Sequence, residues 1–267
     1  KICYDVESLF FRRIEKQVLL ETDTARKAAL QNASIAGKEL ESNIVRNVDR
    51  LVCISDDERA FCETVDGHAP VDFMLPLSRG IRLSSDSFRQ REMMLVFVAG
   101  WMAGPVSPNV DALAWFVEDV FPRVLKVLPH ATLIVTGGSP PENALVYKSA
   151  VVRFAGFVPD LAALYARARV AIAPIRFGAG VKIKTVEAIQ YGVPVVSTTV
   201  GSEGIALSCE LAITIADNSE QFAANVSAML VDEAAWSRSR LAIEKQVQVW
   251  ENANATTWAD VCASMLR

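Results

Sequence analysis

The chain is poor in histidine: His68 and His130 are the two it has in 267 residues, far apart and each close to a proline, which leaves little from which to build a metal site. Its five cysteines, Cys3, Cys53, Cys62, Cys209 and Cys262, are odd in number, scattered and without a Cys-x-x-Cys spacing. They read as buried thiols of a reducing compartment, not as zinc ligands or a disulfide framework. No stretch approaches eighteen consecutive apolar residues, so no helical span of a bilayer is predicted. Basic excess is also missing. Lys and Arg number 27 against 31 Asp and Glu, a net charge of -4 with both signs interspersed, which argues against a nucleic-acid partner.

What is present is apolar: 51% of the residues are hydrophobic, enough for one large or two modest domains. The sequence starts without methionine and directly in an apparent buried strand, Lys1-Ile2-Cys3-Tyr4-Asp5-Val6, so it is expected to continue upstream of Lys1 in a longer chain. Residues 7–48 read as mostly helical, with Arg12 and Arg13 near the start and Asn32 and Gly37 weakening the middle. Residues 50–55 and 71–75 give two more strands, and Ser55 followed by Glu58 forms a capping-box pattern between them. Residues 77–92 are polar and strand-poor and read as a linker. From Met93 onward β and α patterns alternate, which implies a parallel sheet with right-handed crossovers. Its strands are expected near 94–99, 132–136, 151–154, 169–173, 194–198 and 211–215.

The densest signal lies in residues 177–204, FGAGVKIKTVEAIQYGVPVVSTTVGSEG. A buried strand ends at Pro174, and the chain turns through Arg176, Phe177, Gly178, Ala179 and Gly180. Glycines there admit positive φ and let backbone N–H groups approach a ligand. A helix predicted to start near Gly180 would present its unpaired N–H groups to an anion. Lys182 and Lys184 in that first turn oppose the helix dipole, at about 0.3–1 kcal/mol each, unless an anion offsets them. At 100° per residue Gly180, Lys184, Glu187 and Tyr191 share one stripe, while most other positions are apolar. Glu187, a lone carboxylate there, faces a partner or a cleft. The alternative is an ordinary ion pair between Lys184 and Glu187. Gly201 and Gly204 form a second loop on the same sheet edge, where open α/β sheets bind ligands.

This run, from Pro174 to Ile205, resembles the donor-binding domain of GT-B glycosyltransferases of family 4, and the phrase YDVESLFFRR near the start is similar to that family as well. The resemblance implies an α/β fold of GT-B type: a doubly wound, Rossmann-like donor domain at 93–249, the C-terminal part of a second Rossmann-like domain at 1–76, the linker between them, and a last helix at 250–267 that packs back toward the first part. It places Glu187 on the ribose of a sugar nucleotide. The family's usual second glutamate falls at Ala179, which leaves the donor sugar without its usual partner. The basic residues often found after the first donor-domain strand are also missing between Val98 and Asn109. Arg176, Lys182 and Lys184 are the nearest substitutes, with Lys182 or Lys184 favoured for the diphosphate. Gly100, Gly178, Ala179, Gly180 and Val181 would line the site. Phe157 and Val158 would lie beside the base, and Asn109 would open the next helix either as a ligand contact or as a plain N-cap.

The implied activity is retaining transfer of a sugar from a nucleotide-diphosphate donor to a glycan or lipid-linked acceptor, in polysaccharide or cell-surface glycan biosynthesis. Lys182 or Lys184 would stabilise the leaving group, with no metal or other cofactor required. The implied location is cytoplasmic, with peripheral association at the inner membrane face as an option. A non-catalytic nucleotide-sugar-binding module is the alternative, motivated by Ala179.

Overall fold

The computed structural model describes the chain apart from residues 76–82, 84, 85, 101, 103, 105, 106, 139, 206, 208, 209, 254–256 and 267. Half of the expected linker, residues 77–82, 84 and 85, therefore lies outside the described residues, as do Cys209 and Trp101. The linker's last part carries a 3-10 turn at Phe88–Gln90.

Short apolar runs become two parallel sheets. The first joins β1 (Cys3–Val6), β2 (Arg50–Cys53) and β3 (Val71–Phe73) in that order, with Tyr4 beside Leu51 and Leu51 beside Val71. Between β1 and β2 the chain forms α1 (Phe10–Leu20) and α2 (Thr24–Arg46), and α3 (Asp56–Thr64) links β2 to β3. Ser55 caps α3 by accepting from the Glu58 N–H. The weak point expected at Asn32 and Gly37 is not where the helical stretch divides. It divides at residues 21–23, where Asp23 caps α2 through the Arg26 N–H, and α2 then runs unbroken through Gly37. A Cβ on Gly37 would already sit 3.4 Å from that of Phe11, so the glycine's helix penalty of about 1 kcal/mol is set against a close approach of α1 and α2.

The second sheet holds β4 (Glu92–Val98), β5 (Thr132–Thr136), β6 (Val152–Gly156), β7 (Ala168–Ala173), β8 (Val195–Ser197) and β9 (Ile213–Ile215). All its pairs are parallel, and the spatial order is β6-β5-β4-β7-β8-β9. This is a doubly wound sheet, and its order reverses between β4 and β7. The last strand is shorter than expected because residues 210–212 form a 3-10 turn. Both faces are covered. Leu95 and Phe97 point into a core with Leu113, Phe116 and Phe222, while Met94 and Val96 pack with Val186, Ile189 and Ile243, which is why β4 is an unbroken apolar run.

The helices of this unit are α4 (Pro108–Trp115), α5 (Phe121–Val127), α6 (Glu142–Leu145), α7 (Ala162–Arg167), α8 (Ile183–Gln190), α9 (Ser219–Val231) and α10 (Glu233–Asn252), followed by α11 (Trp258–Leu266). A π-helical segment at Phe116–Val120 joins α4 to α5 just before Pro122, which lacks the N–H that a regular turn would use. α11 carries Trp258 to the carboxyl edge of the first sheet, where it lines a cavity with Asp5, Val52 and Met74. Among the described cysteines, Cys53 and Cys62 are buried thiols 3.8 Å apart, whereas Cys262 is exposed, contrary to the sequence expectation. No helix among the described residues is long and apolar enough to cross a membrane.

Candidate active site

The order reversal between β4 and β7 opens a crevice at their carboxyl ends, and the loop after β7 crosses it. Gly178 and Gly180 in that loop have φ of 153° and 71°. Gly180 admits no side chain: a Cβ there would meet the Glu7 carbonyl oxygen at 2.2 Å and Ser8 at 3.0 Å. The connection from β1 to α1 thus lies directly on the glycine loop. Because Gly180 is left-handed and the loop is clamped, α8 begins three residues later than the sequence suggests, at Ile183 with Lys182 in the N-cap position. No side chain caps this end, so its first N–H groups stay available to a ligand. The second glycine loop docks behind it: the Thr185 hydroxyl donates to the Gly201 carbonyl at 2.9 Å, and a Cβ on Gly201 would be 2.2 Å from the Ala173 oxygen.

The result is a cavity of roughly 410 Å3 whose wall includes Gly100, Asn109, Gly178, Ala179, Val181, Lys182, Lys184 and Glu187. Gly180 backs onto a smaller crevice with Leu9, Glu58 and Gly204. Arg176 is not on the cavity wall. Its guanidinium is held in a two-pronged pair by the Asp111 carboxylate, with Nε to Oδ2 at 2.9 Å. Phe157 is exposed and Val158 partly so, at the end of β6 and off this cavity. Asn109 is not the N-cap of α4, a role taken by Ser107 with Pro108 following; its side-chain oxygen accepts from the Lys184 ammonium.

The two lysines are held differently. Lys182 folds back on its own loop, donating to the Gly180 carbonyl at 2.5 Å and facing Glu203 at 3.4 Å. Burial pushes its pKa down to about 8, against the pull of Glu203 and with help from Lys16. Lys184 does not pair with Glu187; its ammonium sits on Asn109 and 4.9 Å from the Phe97 ring centroid. Burial, with the charge of Lys182 adding, pushes it down to about 7. Glu187 accepts a long hydrogen bond of 3.4 Å from the Tyr165 hydroxyl, and Tyr165 stacks on Tyr191 at 4.9 Å. Burial raises the Glu187 pKa, and the Tyr165 bond opposes that rise.

Several site residues escape sequence reasoning. Ser8 and Arg13 reach the cavity from the first sheet's side, and Tyr165 supports Glu187 from α7. The Arg12-Arg13 pair is visible in the sequence, but the direction of each side chain depends on where α1 rests. A second cavity, of roughly 460 Å3, adjoins the first and shares Ser8, Ala179, Val181 and Ile183 with it. Its far wall brings Asp5, Glu7 and Trp258. Among the described residues no cluster of His, Cys, Asp and Glu is arranged to hold a metal.

Residues 96–232, over half the chain, match the family model described as glycosyl transferases group 1. The chain belongs to that family. It is similar to an uncharacterized 44.6 kDa protein in the cps region of Klebsiella pneumoniae, with 26% identity over 201 residues, covering 72% of this chain and 50% of that protein. It therefore spans about half the length of that relative. Among solved structures it is similar to sucrose-phosphate synthase from Thermosynechococcus elongatus, with TM-score 0.68 and 18% identity over 98% of this chain and 65% of that one. It is likewise similar to WaaG, a glycosyltransferase involved in lipopolysaccharide biosynthesis, with TM-score 0.62 and 15% identity over 98% and 74% of the two chains. HepE of Anabaena, solved in complex with UDP and glucose, matches with TM-score 0.57 and 13% identity over 86% and 67%. The fold is thus an α/β fold of GT-B type.

Proposed function

We propose that the protein transfers a sugar from a nucleotide-diphosphate donor to a glycan or lipid-linked acceptor in cell-surface glycan biosynthesis, with retention at the anomeric carbon. The observation that carries this reading is the uncapped start of α8, with Lys184 and Glu187 on one cavity wall at the topological switch of a doubly wound sheet. Glu187, steadied by Tyr165, holds the ribose hydroxyls. The α8 N-terminus and Lys184 receive the diphosphate, and Lys182 shapes the loop through Gly180 and Glu203. Family membership and the likeness to proteins whose names include glycosyltransferase, UDP and glucose support the class.

In this mechanism the bond from the anomeric carbon to the phosphate oxygen breaks with its electron pair going to the diphosphate. Lys184 and the helix N–H groups stabilise the charge that develops. The acceptor hydroxyl attacks from the face that the leaving group vacates, and its proton passes to the departing phosphate oxygen. The adjoining cavity, with Asp5, Glu7 and Trp258, is where the acceptor enters. We further propose residues 1–76 and 93–249 as the acceptor-side and donor domains. A binding module without turnover would keep the same nucleotide site, so binding and transfer are measured separately. In the complete protein, Glu187→Ala is expected to weaken nucleotide binding at least tenfold, the loss of a charge-assisted contact. Unchanged affinity would remove the ribose assignment.

A further inference from the structure

The three cations of α1 have three different destinations. Lys16 leaves the helix to pair with Glu203, the same carboxylate that faces Lys182. Arg12 lines the small crevice behind the glycine loop with Asp57, Glu58 and Glu203. Arg13 lines the 410 Å3 cavity itself, on the same wall system as Asn109 and Lys184. The helix is fixed in that place from two sides, by the Lys16–Glu203 pair one turn further on and by the Glu7 and Ser8 backbone lying against Gly180.

Arg13 is half-buried and has neither a hydrogen-bond acceptor nor a carboxylate within pairing distance among the described residues. Burial lowers its pKa, a sign that its charge is poorly solvated there. Arg176 is neutralised by Asp111, and Lys182 by Glu203 and the Gly180 carbonyl. Of the three cations that line the 410 Å3 cavity, Arg13, Lys182 and Lys184, only Lys182 is held by a carboxylate among the described residues. A guanidinium drawn out of water with no partner is costly, and its planar fork suits two oxygens of a phosphate better than one.

On the reading that the cavity takes a nucleotide-diphosphate donor, we propose that Arg13 contacts the terminal phosphate of that diphosphate and is the residue that makes the site prefer a nucleoside diphosphate to a monophosphate. The α8 N-terminus and Lys184 serve the phosphate nearer the ribose. Because Arg13 comes from the helix that follows β1 and Lys184 from the helix that follows β7, the diphosphate then bridges the two sheets' helices.

The test is titration of the complete protein with UDP, GDP and dTDP and with the matching monophosphates, for the parent, Arg13→Gln, Arg13→Lys and Glu187→Ala. Arg13→Gln is expected to weaken the diphosphate about tenfold or more, the size of a lost charge-assisted contact, and to change the monophosphate by less than about twofold. Arg13→Lys should recover part of the loss, and the ligand-free Tm of Arg13→Gln should not fall, since the guanidinium it removes is drawn out of water without a partner. Glu187→Ala should weaken both ligands alike. An Arg13→Gln protein that keeps the parent's preference, or loses both ligands equally, overturns the assignment while leaving the nucleotide site standing. A parent that binds none of the six nucleotides overturns the nucleotide site and this assignment together.

Discussion

Burial of the Lys184 ammonium disfavours its charged form and so costs the folded protein stability. Its folded pKa of about 7 lies below the ordinary lysine value near 10.4, so between those pH values the unfolded chain binds the extra proton. Stability should therefore rise with pH across that window, and the penalty should be complete below about pH 7. Lys184→Met is expected to raise the ligand-free Tm most at or below pH 7, with the gain shrinking toward pH 10, and to lower kcat roughly a hundredfold through loss of leaving-group stabilisation. Melting curves across pH, paired with transfer rates, check both halves. Anion binding draws on the protonated amine, so nucleotide affinity should fall as pH rises above about 7. Glu187 sets the opposite limb. Its pKa is raised by burial and held back by Tyr165, so Tyr165→Phe should move the acid loss of nucleotide affinity to higher pH, read as Kd against pH. Neither Tyr165 nor Arg13 is legible as a site residue from sequence: each acts from a different helix, and helical spacing says which residues share a face but not what that face meets.

At the scale of elements, the strands were the legible part. Val170, Ala171, Ile172 and Ala173 in β7, or Leu133, Ile134 and Val135 in β5, are continuous apolar runs because both sheet faces are covered. Helix starts were less legible. The α8 boundary moves from Gly180 to Ile183 because Glu7 and Ser8, some 170 positions away in sequence, press on the glycine loop. Gly37 reads as a helix breaker until Phe11 is seen against it. The departure at Ala179 also gains a physical setting, since this residue lies on the wall shared by the two large cavities. Gly180→Ala tests the loop. It places a Cβ 2.2 Å from a carbonyl oxygen at φ 71°, so a cost of about 1–3 kcal/mol and a Tm fall of several degrees are expected, together with loss of nucleotide binding. Gly138→Ala, with nothing near its Cβ and no positive φ, should leave both nearly unchanged.

At the scale of the molecule, the glycine loop is one place where the two sheets meet, beside the packing of Ile54 and Leu75 on the core of the larger sheet. Lys16, Glu203 and Lys182 form a chain of charges across it, and Gly180 lies under the β1–α1 connection. A ligand that grips the α8 N-terminus and Arg13 should slow amide exchange both in 178–186 and in α1, whereas a ligand held by the donor sheet alone would protect the first segment only.

The most direct measurement of the central claim is calorimetric titration of the complete protein with UDP, GDP and dTDP, repeated on Glu187→Ala. One of the three should bind with one-to-one stoichiometry, and the substitution should weaken it at least about tenfold. Absence of binding by all three, or equal binding to Glu187→Ala, would contradict the claim.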